Sequence, residues 1–195
     1  PETGYITSRT VTSRPSTSIC SNAQSDLANS TEFSATAMTP DIVIRLATNT
    51  DADAIALLSR SEIEYELPWR WTPSRIQQAI AGATTNVAVA HDGNRLVAFG
   101  IMSYRDDVAR LLLLAVQPSV RRRGIGSSVL RWLEKVALVA GIARIRLEAR
   151  QDNAAAIAFY RWHGYGVRAT VVGLYDGIED GVRLEKVIAG EAAVP

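Results

Sequence analysis

Leu111 to Ser128 reads LLLLAVQPSVRRRGIGSS and holds the residues whose spacing most clearly suggests chemistry. An uncharged apolar run stops near Pro118. Arg121, Arg122 and Arg123 follow, then Gly124, Ile125 and Gly126, then Ser127 and Ser128 at the start of an amphipathic stretch. A strand is thus joined to a helix by a short loop with two positions free of side-chain bulk. The first N–H groups of a helix have no partner within it, and the dipole is positive at that end. Such a turn holds phosphates, and the arginines add cationic charge. A pyrophosphate site is expected here.

The elements that must position this loop follow from the pattern. Residues 1–40 are rich in Ser and Thr and poor in large apolar residues. They are expected to form a flexible tail, because they cannot bury enough surface to offset their ordering entropy. The folded domain is expected over 41–190. Asp41–Leu46 alternates like a half-buried strand. A helix is expected from Thr50 to about Tyr65, and a second after Thr72-Pro73 to about Ala81. Strands follow at Asn86–Ala90 and Leu96–Tyr104, joined at Asp92-Gly93-Asn94, and then at Ala109–Val116. Ser127–Ala140 reads as a helix stopped by Gly141. Ala143–Ala149 is a strand, Asn153–His163 a helix closed by Gly164, and Val167–Tyr175 and Val182–Ile188 are the last strands. The fold class is mixed α/β.

The glycine loop can be read three ways. A Walker-type loop needs GK[ST], which is absent. A dinucleotide fingerprint needs a third glycine where Val129 stands. The third pattern, Q/R-x-x-G-x-G/A, is filled by Arg121, Gly124 and Gly126. A second phrase, Glu148 to Tyr160 followed by Gly164-Tyr165, reads EARQDNAAAIAFY…GY. Asn153 and Tyr160 lie seven residues apart and share one helical face.

Together these phrases resemble the Gcn5-related N-acetyltransferase (GNAT) superfamily, over about Asp41 to Ile188. The LEARQDNAAAIAFY phrase is similar to the bacterial ribosomal-protein-alanine N-acetyltransferase subfamily. The resemblance implies a central, mostly antiparallel, seven-stranded twisted sheet flanked by about four helices. It implies acetyl-CoA as co-substrate, bound through Leu114, Ala115 and Val116 on the strand edge. Arg121, Arg122, Arg123, Gly124, Ile125, Gly126 and Ser127 would hold the pyrophosphate, and Asn153 a pantetheine amide. Val116 would polarise the thioester carbonyl. Glu148 and Tyr160 would be the catalytic pair, base and acid. Glu148 alternates with Arg144, Arg146 and Arg150, so it also has a charge-pairing reading.

The implied acceptor is a primary amine, with a protein N-terminal α-amine ahead of a small-molecule amine. A non-catalytic acyl-CoA sensor is the reading from another class. Leu174-Tyr175 and the Trp- and Arg-bearing loop Glu66–Thr72 depart from the subfamily where its acceptor groove lies. Glu62, Glu64 and Glu66, with Asp176, Glu179 and Asp180, would form an acidic rim there, or else a solvated surface.

Composition excludes other classes. The formal charge is +1, which gives no global pull toward nucleic acid or anionic membrane. No apolar stretch approaches the ~20 residues of a membrane span. Cys20 is the sole cysteine, and His91 and His163 lie far apart, so neither a disulfide nor a metal centre is expected. The expectation is a cytoplasmic enzyme, a monomer or homodimer, with no nucleic-acid or membrane partner.

Overall fold

The computed structural model describes residues 42–65, 67–175, 177 and 179–188. The expected tail over 1–40 lies outside them. Among the described residues are seven strands and four helices: β1 (Ile42–Leu46), α1 (Ala52–Glu62), α2 (Pro73–Ala81), β2 (Thr85–Asp92), β3 (Arg95–Arg105), β4 (Val108–Val116), α3 (Ile125–Val139), β5 (Arg144–Arg150), α4 (Ala154–Trp162), β6 (Gly166–Tyr175) and β7 (Glu179–Val187). The strands form one sheet in the order β1-β2-β3-β4-β5-β7-β6. Only β4 and β5 pair in parallel; the other neighbours are antiparallel. The last strand in sequence therefore inserts beside β5, and β6 takes the edge.

Each face of the sheet has its own core. On one, α3 and α4 bring Val129, Leu130, Leu133, Ala156 and Tyr160 against the strands. On the other, α1 with its C-cap residue Ile63, and α2, bring Ile55, Ile63 and Ile76 against Val87, Phe99 and Leu113. Helix α3 lies close to the sheet because Gly100 on β3 has no side chain. A Cβ there would sit 2.8 Å from a Leu133 methyl.

Two local features shape the middle of the sheet. On β4, Leu113 pairs with Ile101 and Leu111 with Met102, so Leu112 is the extra residue of a β-bulge. Leu112 and Leu113 consequently both join the core under α1 and α2. The second feature is where α3 begins. The serines were expected to open it, but it starts at Ile125, with Gly124 before it in the left-handed region at φ +80°. Arg122 also has positive φ, +64°.

Candidate active site at the parting of two strands

Parallel pairing of β4 with β5 covers Val108–Leu111 against Arg144–Leu147. Yet β4 continues to Val116 and β5 to Arg150. Past Leu111 the two strands part, and the bulge at Leu112 marks the place. The inner edge of β4 from Leu112 to Val116 thus faces a gap rather than a β5 ladder. An extended ligand carrying amides can pair with such an edge. The expected cofactor residues Leu114, Ala115 and Val116 lie on this segment.

The chain leaves β4 through a 3₁₀ turn at Pro118–Val120 and enters the glycine loop. The alternation of positive φ at Arg122 and Gly124 curls the backbone into α3. Such a turn gathers N–H groups into a concavity suited to anions. Gly126 sits in the first turn of α3, where a Cβ would lie 3.2 Å from Val116 and 3.8 Å from Phe159. The missing side chain lets the loop close against the end of β4. Arg122 and Arg123 are exposed at its rim. Arg121 is arranged differently: its Nε donates to the Val116 carbonyl at 3.1 Å, and its Nη2 pairs with Glu62 of α1. Its side chain ties the loop to β4 and α1. Ser127 faces the His163 ring nitrogen at 3.0 Å, which links the start of α3 to the end of α4. Burial holds the His163 imidazole below its usual pKa.

On α4, Asn153 is the N-cap. Its Oδ1 accepts from the Ala156 N–H at 3.0 Å, while its Nδ2 is buried with no hydrogen-bond partner within the described residues. A buried amide donor left over in this way costs free energy unless something accepts from it. One turn beyond the cap, Ala156 faces the core, and Tyr160 follows it, 1 % exposed. Burial pushes the Tyr160 phenol well above the ordinary tyrosine value, and nearby Tyr175 adds to the effect. Tyr160 belongs to the core under α3 and α4, whereas Tyr175 belongs to the core on the opposite face. Tyr175 nonetheless lies near enough to act on the Tyr160 phenol. In the sequence Tyr175 opens a segment, Tyr175 to Lys186, that resembles the subfamily's tyrosine-plus-Glu-Asp segment, and Leu174-Tyr175 departs from its paired tyrosine. Nothing local marked it as Tyr160's neighbour.

Tyr165 occupies the aromatic position after Gly164. Its hydroxyl donates to Glu134 at 3.0 Å, and Lys186 binds the other oxygen of that carboxylate at 2.9 Å. The hydroxyl of this aromatic residue thus has a polar anchor.

Glu148 lies on β5 one residue past the last β4 pair. Its Oε1 accepts from Arg183 Nε at 2.8 Å, and its side chain is 15 % exposed. The charge pairing read from alternation therefore exists, but across strands. Arg183 is the residue directly opposite Glu148 on β7. Arg144, Arg146 and Arg150 instead find Asp107, Glu185 and Glu179. Among the described residues, the other carboxylate oxygen of Glu148 makes no hydrogen bond.

The carboxylates considered as an acidic rim have other employment. Glu62 holds Arg121. Glu64 is fully buried; it accepts from Ser59 and from the backbone N–H groups of Arg70 and Trp71 and so anchors the loop before α2. Glu179 pairs with Arg150, and Asp180 accepts from the Gly173 N–H. Glu66 and Asp176 lie outside the described residues.

Known proteins resemble this chain in sequence and fold. The model of the acetyltransferase (GNAT) family matches residues 53–165. Over 91 residues the chain is 35 % identical to the [ribosomal protein bS18]-alanine N-acetyltransferase of Escherichia coli (strain K12). That stretch covers 45 % of this chain and 62 % of the relative, so the match spans under two thirds of the relative's length. The crystal structure of the ribosomal-protein-S18-alanine N-acetyltransferase from Escherichia coli superposes with a TM-score of 0.68 at 27 % identity, over 78 % of this chain and 99 % of that one. Arabidopsis thaliana NAA60 in complex with acetyl-CoA superposes with a TM-score of 0.67 at 18 % identity, over 76 % of this chain and 99 % of that one; at this identity the likeness is one of fold.

Proposed function

The chain belongs to the acetyltransferase (GNAT) family, and from that premise we propose that it moves an acetyl group from acetyl-CoA to a primary amine, with a protein N-terminal α-amine as acceptor. The observation that carries this reading is the parting of β4 and β5 beside the glycine loop, with Tyr160 and Glu148 on the elements that border the gap. Three features suit a CoA ligand. The backbone of Arg122–Ser127 offers N–H groups and a helix N-terminus to a pyrophosphate. The freed edge of Leu114, Ala115 and Val116 offers ladder partners to pantetheine amides. The buried Asn153 Nδ2 offers a donor to one of them.

In this reading the acceptor nitrogen attacks the thioester carbonyl directly. A C–N bond forms as the C–S bond breaks, and charge develops on the carbonyl oxygen. A backbone N–H at the end of β4, assigned to Val116, meets that charge. The amine must first be neutral. A peptide α-amine has a reference pKa near ~8 and a lysine amine near ~10.4, so a carboxylate suits the α-amine better. Glu148 takes that proton, directly or through one water.

Tyr160 would lie beside the sulfur of the bound thioester. Its pKa is raised, so it stays protonated at any ordinary pH. A thiol has a reference pKa near ~8.5, below that of the phenol, so full proton transfer from Tyr160 to the thiolate runs uphill. Tyr160 therefore acts through a hydrogen bond that strengthens as sulfur gains charge, with the proton partly shared. The attacking nitrogen sheds its second proton as the amide forms, and the thiolate takes up one proton on release, so the step balances.

The similarity to the [ribosomal protein bS18]-alanine N-acetyltransferase supports the α-amine over a small-molecule amine. Incubation with acetyl-CoA and a panel of free-N-terminal peptides, N-terminally blocked lysine peptides and polyamines, followed by mass spectrometry, tests the proposal. Acetylation of the free α-amines is expected. Acetylation of polyamines alone would replace the acceptor class.

A further inference from the structure

One face of the sheet is only partly covered. Helices α1 and α2 pack over β2, β3 and the end of β4. Beside them an open trough of about 670 Å³ runs over β4, β5, β7 and β6. Its charge is uneven. Among the described residues Arg110, Arg146, Arg168 and Arg183 line it, with Glu148 and Glu185 to oppose them.

Strand register sets these groups in rows. Arg110 stands beside Arg146, which stands opposite Glu185. In the next row Glu148 stands opposite Arg183. Glu185 is shared between Arg146 at 2.7 Å and Arg168 at 3.0 Å, and the hydrogen bond from Arg146 holds its carboxyl below the usual carboxylate range. By formal charge, the four arginines and two glutamates among its described lining residues give the trough +2. Among the described residues Arg110 has no ion-pair partner, and Arg168 is 62 % exposed. The trough also contains Glu148, so it opens on the place where the acceptor amine would lie.

We propose that this trough receives the chain that follows the acceptor amine, and that the chain is acidic: a polypeptide with aspartate or glutamate at the two to four positions after its N-terminal residue. The assignment rests on the acetyltransferase reading above. Guanidinium groups in a fork geometry hold carboxylates in two-point contacts. Arg110 and Arg168 are placed to make them without breaking an internal pair completely. Among the described carboxylates of the expected acidic rim, Glu62, Glu64, Glu179 and Asp180 are engaged within the protein, so these four offer little to a basic peptide.

The test uses the full chain and three peptides with free N-terminal alanine and a C-terminal fluorophore. Their next three residues are acidic, neutral or basic. Acetylation should favour the acidic peptide over the basic one by at least about tenfold in kcat/KM, mainly through KM, and the preference should shrink in 0.5 M salt. In R110E/R168E the preference should reverse, while turnover at saturating neutral peptide stays within about twofold. R110Q/R168Q should abolish the preference without reversing it and guards against misfolding of the first variant. Equal use of the three peptides, or preference for the basic one, overturns the proposal. Anisotropy without acetyl-CoA separates the two readings. If no peptide is acetylated, the acetyltransferase reading is at fault. The trough assignment then stands if the acidic peptide binds and R110E/R168E loses it, and falls if the acidic peptide does not bind.

Discussion

Tyr160 and Glu148 divide the proposed chemistry, and each has its own signature. Tyr160→Phe removes one hydrogen bond to the departing sulfur and leaves ring packing intact. General acids contribute about 10²- to 10⁴-fold; because the transfer here runs uphill, the low end, about 100-fold in kcat, is expected. The acetyl-CoA Kd should hardly move. Steady-state kinetics with calorimetry checks this, and unchanged kcat would remove Tyr160 from the reaction. Glu148→Gln should lower kcat/KM by about 100-fold at neutral pH. The deficit should narrow above pH ~8, where a peptide α-amine is already neutral. A deficit constant across pH would leave Glu148 only its pairing with Arg183. That pair is half open to water on the arginine side, so losing it should cost little stability.

At the scale of elements, glycines decide how strands, loop and helices meet. Gly126→Val would press a side chain against Val116, 3.2 Å from the nearest Cβ position. The loop should lift from β4, with acetyl-CoA affinity falling about tenfold or more while the fold persists, as calorimetry would show. Gly181→Ala strikes the last hairpin: its Cβ would lie 2.2 Å from a Leu174 methyl and 3.0 Å from the Tyr175 ring. Overpacking costs about 1–3 kcal/mol, so a lower melting temperature is expected together with a lower kcat, because Tyr175 would be displaced beside Tyr160. A drop in stability with unchanged kcat would separate Tyr175 from the site.

Much of this layer was legible in the sequence, and the parts that were not share a cause. The apolar run of β4, the glycines before α3 and the N-cap Asn153 are local signals, and they located their elements to within a few residues. The order β5-β7-β6, the bulge at Leu112 and the pairing of Glu148 with Arg183 depend on long-range register, which no local pattern specifies. Glu64 reads as a surface acid among charged neighbours. Its burial depends on where the chain from Arg70 to Trp71 folds back.

Across the whole molecule, Asp51 joins the first strand and helix to the sheet, and it makes stability depend on pH. Burial raises its carboxyl, but the Arg45 guanidinium and the Thr48 donors outweigh burial and hold it at about 2. An unfolded aspartate titrates near ~3.9. The folded value is the lower one, so this stabilisation, roughly 2 kcal/mol, is present above pH ~4 and is lost as pH falls toward ~2. Urea unfolding of wild type and Asp51→Asn should show a gap of that size at pH 6 that closes near pH 2; a constant gap would contradict the assignment. The central claim concerns the opening between β4 and β5 and the loop at its end. Titration calorimetry of the folded full chain with acetyl-CoA tests it most directly. One molecule bound per chain, with affinity lost in Gly126→Val, is the predicted result; no binding heat at any temperature, with no protection of the fold against thermal unfolding, would contradict it.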